Sequence, residues 1–118
     1  NRDLAKAKTI ASTHHIPYAS NQLDEILALD EVHAVSISTP PFLHYEMGKK
    51  ALEAGKHILL EKPMNLNANE TKALYHLALE KNLIVTPDFE FRFIPAWQLL
   101  AEYLAQDYVG KIRLIKID

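Results

Sequence analysis

Apolar positions along this chain recur in two rhythms, one helical and one extended, and they alternate. Leu4, Ala7 and Ala11 share one helical face between Asp3 and His15; Asp3 is placed to cap the start and Pro17 bars continuation. A short extended piece around Tyr18 follows, and a second helix is predicted from Ser20 or Asn21, with Leu23, Ile26 and Leu27 as its apolar side. Val32 to Ser38 is almost uniformly small or apolar and rich in β-branched residues, which suits a strand covered on both faces. Pro40 and Pro41 open the next helix, where a missing N–H costs nothing, and Leu43, Met47, Ala51 and Ala54 repeat along it. Gly55 is its left-handed stop, and His57 to Leu60 is the next strand.

Asn67 followed by Glu70 has the form of a capping box. Leu74, Leu77 and Ala78 supply the buried stripe of that helix, which is predicted to end near Asn82. Leu83 to Thr86 reads as a strand, Pro95 to Ala105 as a helix, Gly110 as a turn, and Lys111 to Asp118 as a last strand. Helices alternating with short strands predict right-handed crossovers and an α/β fold with a doubly wound parallel sheet. The one organisational break lies near Gly110, which divides the chain into residues 1–108 and 109–118.

Composition narrows the function classes. The 118 residues are 48% hydrophobic and 24% charged with a formal net charge of −2, so electrostatics gives no reason to expect nucleic acid or a membrane surface as partner. No apolar run reaches the roughly 18–20 residues of a membrane helix. With no cysteine, thiol catalysis and disulfides are excluded, and a reducing cytoplasm is the expected compartment. No histidine has metal-ligand spacing; His14 and His15 read as a solvated helix end and His57 as a packed strand residue. The absence of an initiator Met and the strand-like last segment lead us to expect a piece of a longer protein.

In an open α/β sheet, ligands bind beyond the carboxyl ends of the strands. Three polar segments follow strands and are expected to share that rim: Ser38 to His44, Glu61-Lys62-Pro63, and Asp88 to Phe93. Lys62 leads the candidates. A strand-end lysine beside a cofactor cleft can hydrogen-bond a substrate hydroxyl and stabilise the alkoxide that precedes hydride loss. The bland alternatives stay open at each position. Lys62 alone is a surface lysine, Glu61 a solvated acid, and Thr39 with Pro40 a helix start. His44 reads equally as a structural histidine, and Arg92 as the ion-pair partner of Glu90 or another acid.

Two of these segments carry a family resemblance. Thr39-Pro40-Pro41-Phe42-Leu43-His44, followed about twenty residues later by Gly55-Lys56-His57-Ile58-Leu59-Leu60-Glu61-Lys62-Pro63, resembles the cofactor-domain signature of the glucose-fructose oxidoreductase/inositol dehydrogenase family. The likeness runs from Arg2-Asp3-Leu4-Ala5-Lys6-Ala7 through Phe91-Arg92-Phe93-Ile94-Pro95-Ala96-Trp97 to Val109-Gly110-Lys111-Ile112. It implies a partial Rossmann-like sheet lacking its first two strands, with residues 109–118 opening an α+β substrate domain. In strand order 3-2-1-4-5-6, the missing strands separate the Tyr18 piece from the Val32 strand. The glycines Gly48, Gly55 and Gly110 cannot form a G-x-G-x-x-G phosphate loop, which the family places upstream.

The resemblance also implies roles. Lys62 lies at the substrate and helps relay its proton; Glu61 takes hydrogen bonds from the nicotinamide ribose; Pro63 follows a cis bond. Thr39, Pro40, His44 and Arg92 lie toward the nicotinamide. Arg2 occupies the position where an acid selects NAD, and an arginine there pairs with a 2′-phosphate, which favours NADP over NAD. The expected activity is hydride transfer between nicotinamide and a hydroxyl or carbonyl carbon of a sugar, cyclitol or related small molecule. The alternative is a non-catalytic dinucleotide-binding sensor or co-repressor of the same fold. A homo-oligomer is expected, because the family often associates through the second domain.

Overall fold

The computed structural model describes residues 3–116. It contains five α-helices and three strands in the order α1 Leu4–Thr13, α2 Leu23–Leu27, β1 Ala34–Ile37, α3 His44–Glu53, β2 His57–Leu60, α4 Ala68–Glu80, β3 Val85–Pro87 and α5 Pro95–Ala105. Short 3-10 turns, Pro41–Leu43 and Glu90–Phe93, precede α3 and α5. The chain divides into two compact units, one ending at Asp88 and one beginning at Phe89.

The predicted boundaries hold best where side-chain chemistry fixes them. Asp3 accepts a hydrogen bond from the Lys6 N–H at 3.0 Å and so caps α1. Asn67 Oδ1 accepts from the Glu70 N–H at 3.0 Å, and Glu70 Oε2 in turn accepts from the Leu66 N–H at 3.3 Å. The box therefore closes one residue earlier than its usual form, but it satisfies the same class of orphan donors. Gly55 leaves α3 at φ 76°, a conformation that a side chain would strain.

In the first unit the strands pair in parallel in the order β1-β2-β3. Ala34 lies opposite His57 and Ile37 opposite Leu60, while Ile58 lies opposite Val85 and Leu60 opposite Pro87. Helix α3 packs on β1 and β2, and α4 packs on α3 and β3. The core between them consists of Ile37, Ala51, Leu52, Ile58, Leu60, Leu74 and Ala78, extended by Leu27 of α2. Gly48 of α3 faces Leu74 of α4 at close range. A Cβ there would lie 3.2 Å from Leu74 Cδ1 and 3.3 Å from Ile58 Cδ1.

Three expectations are corrected. Among the described residues the sheet is covered on one face only: Ala34, Ser36, Leu59 and Thr86 are exposed while Ile37, Ile58 and Leu60 are buried. The uniformly apolar composition of Val32 to Ser38 thus gives an alternating burial pattern here, because the described helices cover a single side. Tyr18 belongs to no strand; its hydroxyl donates to Glu31 Oε1 at 3.3 Å. Lys111 to Lys116 likewise form no strand, and the remainder of that segment lies outside the described residues. A strand exists only where a neighbour completes its hydrogen bonds, and the described residues offer these two segments none.

The second unit is built around α5. Phe91 stacks on Trp97 at 6.0 Å between ring centroids, and Tyr103 on Tyr108 at 4.9 Å. None of its described residues is buried, and Leu104 alone is half-buried.

Two predictions follow from this packing. Gly48→Val in the full-length protein should cost about 1–3 kcal/mol, because the added methyls enter an occupied helix–helix contact; chemical denaturation reads the loss, and unchanged stability would show that the contact can open freely. The 118-residue chain by itself should unfold without a sharp transition and bind a hydrophobic dye, since one sheet face and α5 are exposed. A single cooperative calorimetric peak would contradict that.

Candidate functional site: the carboxyl rim of the sheet

Parallel pairing sends the carboxyl ends of β1, β2 and β3 to one rim. Backbone hydrogen bonds continue past the strands: the Glu61 N–H donates to Ile37 O at 3.0 Å, and the Asp88 N–H donates to Leu60 O at 2.8 Å. The chain leaving β2 is thereby tied to β1, and the chain leaving β3 is tied to β2.

Thr39 and Pro40 follow β1. Thr39 is half-buried, its Oγ1 lies 3.5 Å from Met47 Sδ, and Pro40 is exposed. Pro41 begins the 3-10 turn that leads into α3, as its fixed φ favours. Glu61 is half-buried at the end of β2, and Lys62 and Pro63 beside it are exposed. The Lys62–Pro63 bond is cis, as the family resemblance implied. Thr39, Pro40, Glu61, Lys62 and Pro63 are therefore brought together on one edge of the first unit.

His44 is different. It is the first residue of α3 and is 0% exposed. Its Nε2 lies 2.7 Å from Thr39 O; its Nδ1 lies 3.0 Å from Pro63 O and 3.2 Å from Met64 O. The enclosed ring thus touches both loops that form the rim. Arg92 lies in the second unit, where it lines a hollow with Phe91, Trp97, Gln98 and Ala101, and its carbonyl accepts from Gln98 Nε2 at 3.1 Å. Arg2 lies outside the described residues.

Sequence reading passed over three contributors. Met64 supplies a carbonyl to His44. Asn65 is buried: its Nδ2 donates to Thr71 Oγ1 at 3.1 Å while its Oδ1 has no partner among the described residues. Its place between Pro63 and the capping Asn67 was the available signal, since a polar residue in so short a loop is often drawn inward to hold it. Lys56, also buried, donates from Nζ to Leu29 O at 2.9 Å and closes the loop after α2. His57, expected to be satisfied by packing, instead accepts the Ile84 N–H on Nδ1 at 2.9 Å.

The rim offers the exposed Lys62 cation, the Glu61 and Asp88 carboxylates and a proline-stiffened backbone, a set that can grip hydroxyls and amides. Of the three glycines, Gly48 is inside α3, Gly55 follows it and Gly110 lies in the second unit. No phosphate cradle of the strand–glycine–helix kind is formed among the described residues. They also hold no cluster of three or more His, Asp or Glu suited to a metal ion, and no helix long and apolar enough to cross a membrane.

Comparison with known proteins places the chain by sequence and by fold. The chain is 57% identical over its full length to an uncharacterized oxidoreductase of Synechocystis sp., covering 32% of that protein. It is 39% identical over 82 residues, 70% of the chain, to levoglucosan dehydrogenase of Pseudarthrobacter phenanthrenivorans, covering 21% of that protein. Among solved structures it superposes on the 3-ketoreductase of Actinomadura kijaniata, in complex with TDP-benzene and NADP, with a TM-score of 0.86 and 30% identity, covering 96% of this chain and 35% of that one. The UDP-N-acetylglucosamine 3-dehydrogenase of Acidithiobacillus ferrooxidans gives a TM-score of 0.77 and 35% identity, covering 85% of this chain and 32% of that one. The chain thus spans about a third or less of the proteins it matches. The family model described as "Oxidoreductase family, NAD-binding Rossmann fold" matches residues 1–89, and with the parallel sheet and its strand-end rim this establishes that the chain belongs to the Gfo/Idh/MocA oxidoreductase family.

Proposed function

We propose that the protein containing this chain transfers a hydride between a nicotinamide dinucleotide and a hydroxyl- or carbonyl-bearing carbon of a sugar, cyclitol or related small molecule. The observation that carries this reading is the convergence of Thr39-Pro40 and Glu61-Lys62-Pro63 on one carboxyl rim, where an open α/β sheet binds its ligand. When bound, the nicotinamide ring supplies or accepts the hydride. The chain's own residues do the rest. Lys62, exposed at the end of β2, hydrogen-bonds the substrate oxygen and stabilises negative charge on it as the carbon is oxidised. Glu61 accepts hydrogen bonds from the ribose hydroxyls. Thr39, Pro40 and Pro63 shape the backbone against which the nicotinamide lies.

The solved 3-ketoreductase with NADP bound and the sugar-nucleotide dehydrogenase both support a sugar-like substrate. Arg2 supports NADP over NAD, because a guanidinium pairs bidentately with a 2′-phosphate. Residues 1–108 would then belong to the dinucleotide-binding domain and residues 109–118 to the start of a substrate domain that also carries the oligomer contact. The cysteine-free composition suits a cytoplasmic enzyme.

Titration of the full-length protein with NADPH and NADH, followed by nicotinamide fluorescence, tests the cofactor assignment. NADPH should bind more tightly, and Arg2→Asp should reverse the preference. Binding of neither cofactor would overturn the oxidoreductase reading. Lys62→Met should leave NADPH affinity within a few-fold of wild type while lowering turnover of a sugar-nucleotide or polyol by about a hundredfold or more, the usual range for a lost proton-handling group. Tight NADPH binding with no turnover of any sugar, sugar nucleotide or cyclitol would favour a dinucleotide sensor.

A further inference from the structure

Asp88 stands where the parallel ladder runs on past β3. Leu60 lies opposite Ile37 and Pro87, and two backbone bonds carry the pairing one residue further: Glu61 N–H to Ile37 O at 3.0 Å and Asp88 N–H to Leu60 O at 2.8 Å. Ser38, Glu61 and Asp88 therefore form the next row across the sheet. Successive side chains of an extended chain point to opposite faces. Ile37 and Leu60 are buried in the core, whereas Ser36, Leu59 and Thr86 are exposed, so the row after Leu60 turns to the side away from the core.

Neighbouring strands lie about 4.8 Å apart, which sets the Glu61 and Asp88 carboxylates side by side. Both residues are half-buried, and neither carboxylate has a hydrogen-bond or ion-pair partner among the described residues. Like charges directly opposite in a sheet are destabilising, and partial burial weakens the screening that would relieve them. The ladder uses the backbone of these two residues and not their side chains, so the sheet itself has no call for either acid. Lys62 beside them supplies a single positive charge against the two. What two adjacent carboxylates can do is accept, and a polyol offers hydroxyl donors on neighbouring carbons.

We propose that Asp88 is a specificity-determining residue, acting with Glu61 as a paired acceptor that takes the hydroxyls of a neutral, polyol-like ligand and repels a carboxylate or phosphate on the reacting ring. Asp88 lies one strand farther than Glu61 from the Thr39-Pro40 loop, so with Glu61 on the ribose it faces the next group along the rim. This rests on the reading of the rim as the site of hydride transfer, and narrows that reading from sugars in general to rings without a charge.

The test uses full-length protein and substrate pairs that differ by one charge: glucose against glucuronate, and UDP-N-acetylglucosamine against its uronate. kcat/KM should favour the neutral member. Asp88→Asn keeps the shape and removes the charge, and should narrow that ratio about tenfold, the scale of a like-charge contact near a protein surface. Asp88→Glu should keep the preference. Equal turnover of uronate and neutral sugar by wild type, or an unchanged ratio in Asp88→Asn, would overturn the proposal. A second measurement needs no substrate. Asp88→Asn and Glu61→Gln should each raise the denaturation midpoint at low salt, and the double variant should gain less than the sum, because either change alone removes the repulsion. No gain in either variant would overturn the pairing. If wild type binds no nicotinamide cofactor, the function reading fails while the midpoints still judge the pair; if it binds one and turns over neither pair, the midpoints decide.

Discussion

Parallel pairing in a single register is the constraint on which everything else here depends. Because Ala34 meets His57 and Ile58 meets Val85, three strand ends reach the same level and their following loops emerge side by side. A parallel ladder leaves those loops no hairpin to close them, so each must be held by something else. The sheet supplies part of that support through the Glu61 and Asp88 N–H groups, and α3 and α4 supply the rest through His44 and the Asn67 cap.

The helices do this because they lie close to the sheet. Gly48 lets α3 approach Leu74 and Ile58, and that approach brings the first residue of α3 beneath the rim. A core side chain, a missing side chain and a buried imidazole thus act on one geometry. Lys62, exposed, and Glu61, half-buried, owe their position to the atoms packed beneath them.

How much of this was legible beforehand varies with the kind of signal. Strand His57–Leu60 and helix Pro95–Ala105 appear with the predicted limits, and Ala68–Glu80 begins where the capping box places it. Proline, glycine and caps act within a few residues, so sequence displays them directly. The Tyr18 and Lys111 segments read as strands and are not, because extended composition states a readiness to pair and pairing needs a neighbour. Lys62 and Glu61 were legible because they sit at the end of a recognisable strand. The enclosure of His44 was not: its partners are backbone carbonyls, which every residue has, and two of them lie 19 and 20 residues away.

The uncovered side of the sheet has a consequence for handling and for synthesis. β1 is an outer strand among the described residues, and its Ala34-Val35-Ser36-Ile37 sequence contains no charge and no proline. Natural outer strands usually carry such residues to discourage pairing with a foreign strand. An edge of this composition, wherever no further strand pairs with it, is a template for chain-to-chain association, with exposed Leu59 beside it. Protection of this strand must then come from a neighbouring element rather than from its own side chains, so any interval in which β1 is formed but uncovered is an interval in which concentration and chaperone supply, more than intrinsic stability, decide whether the chain stays in solution.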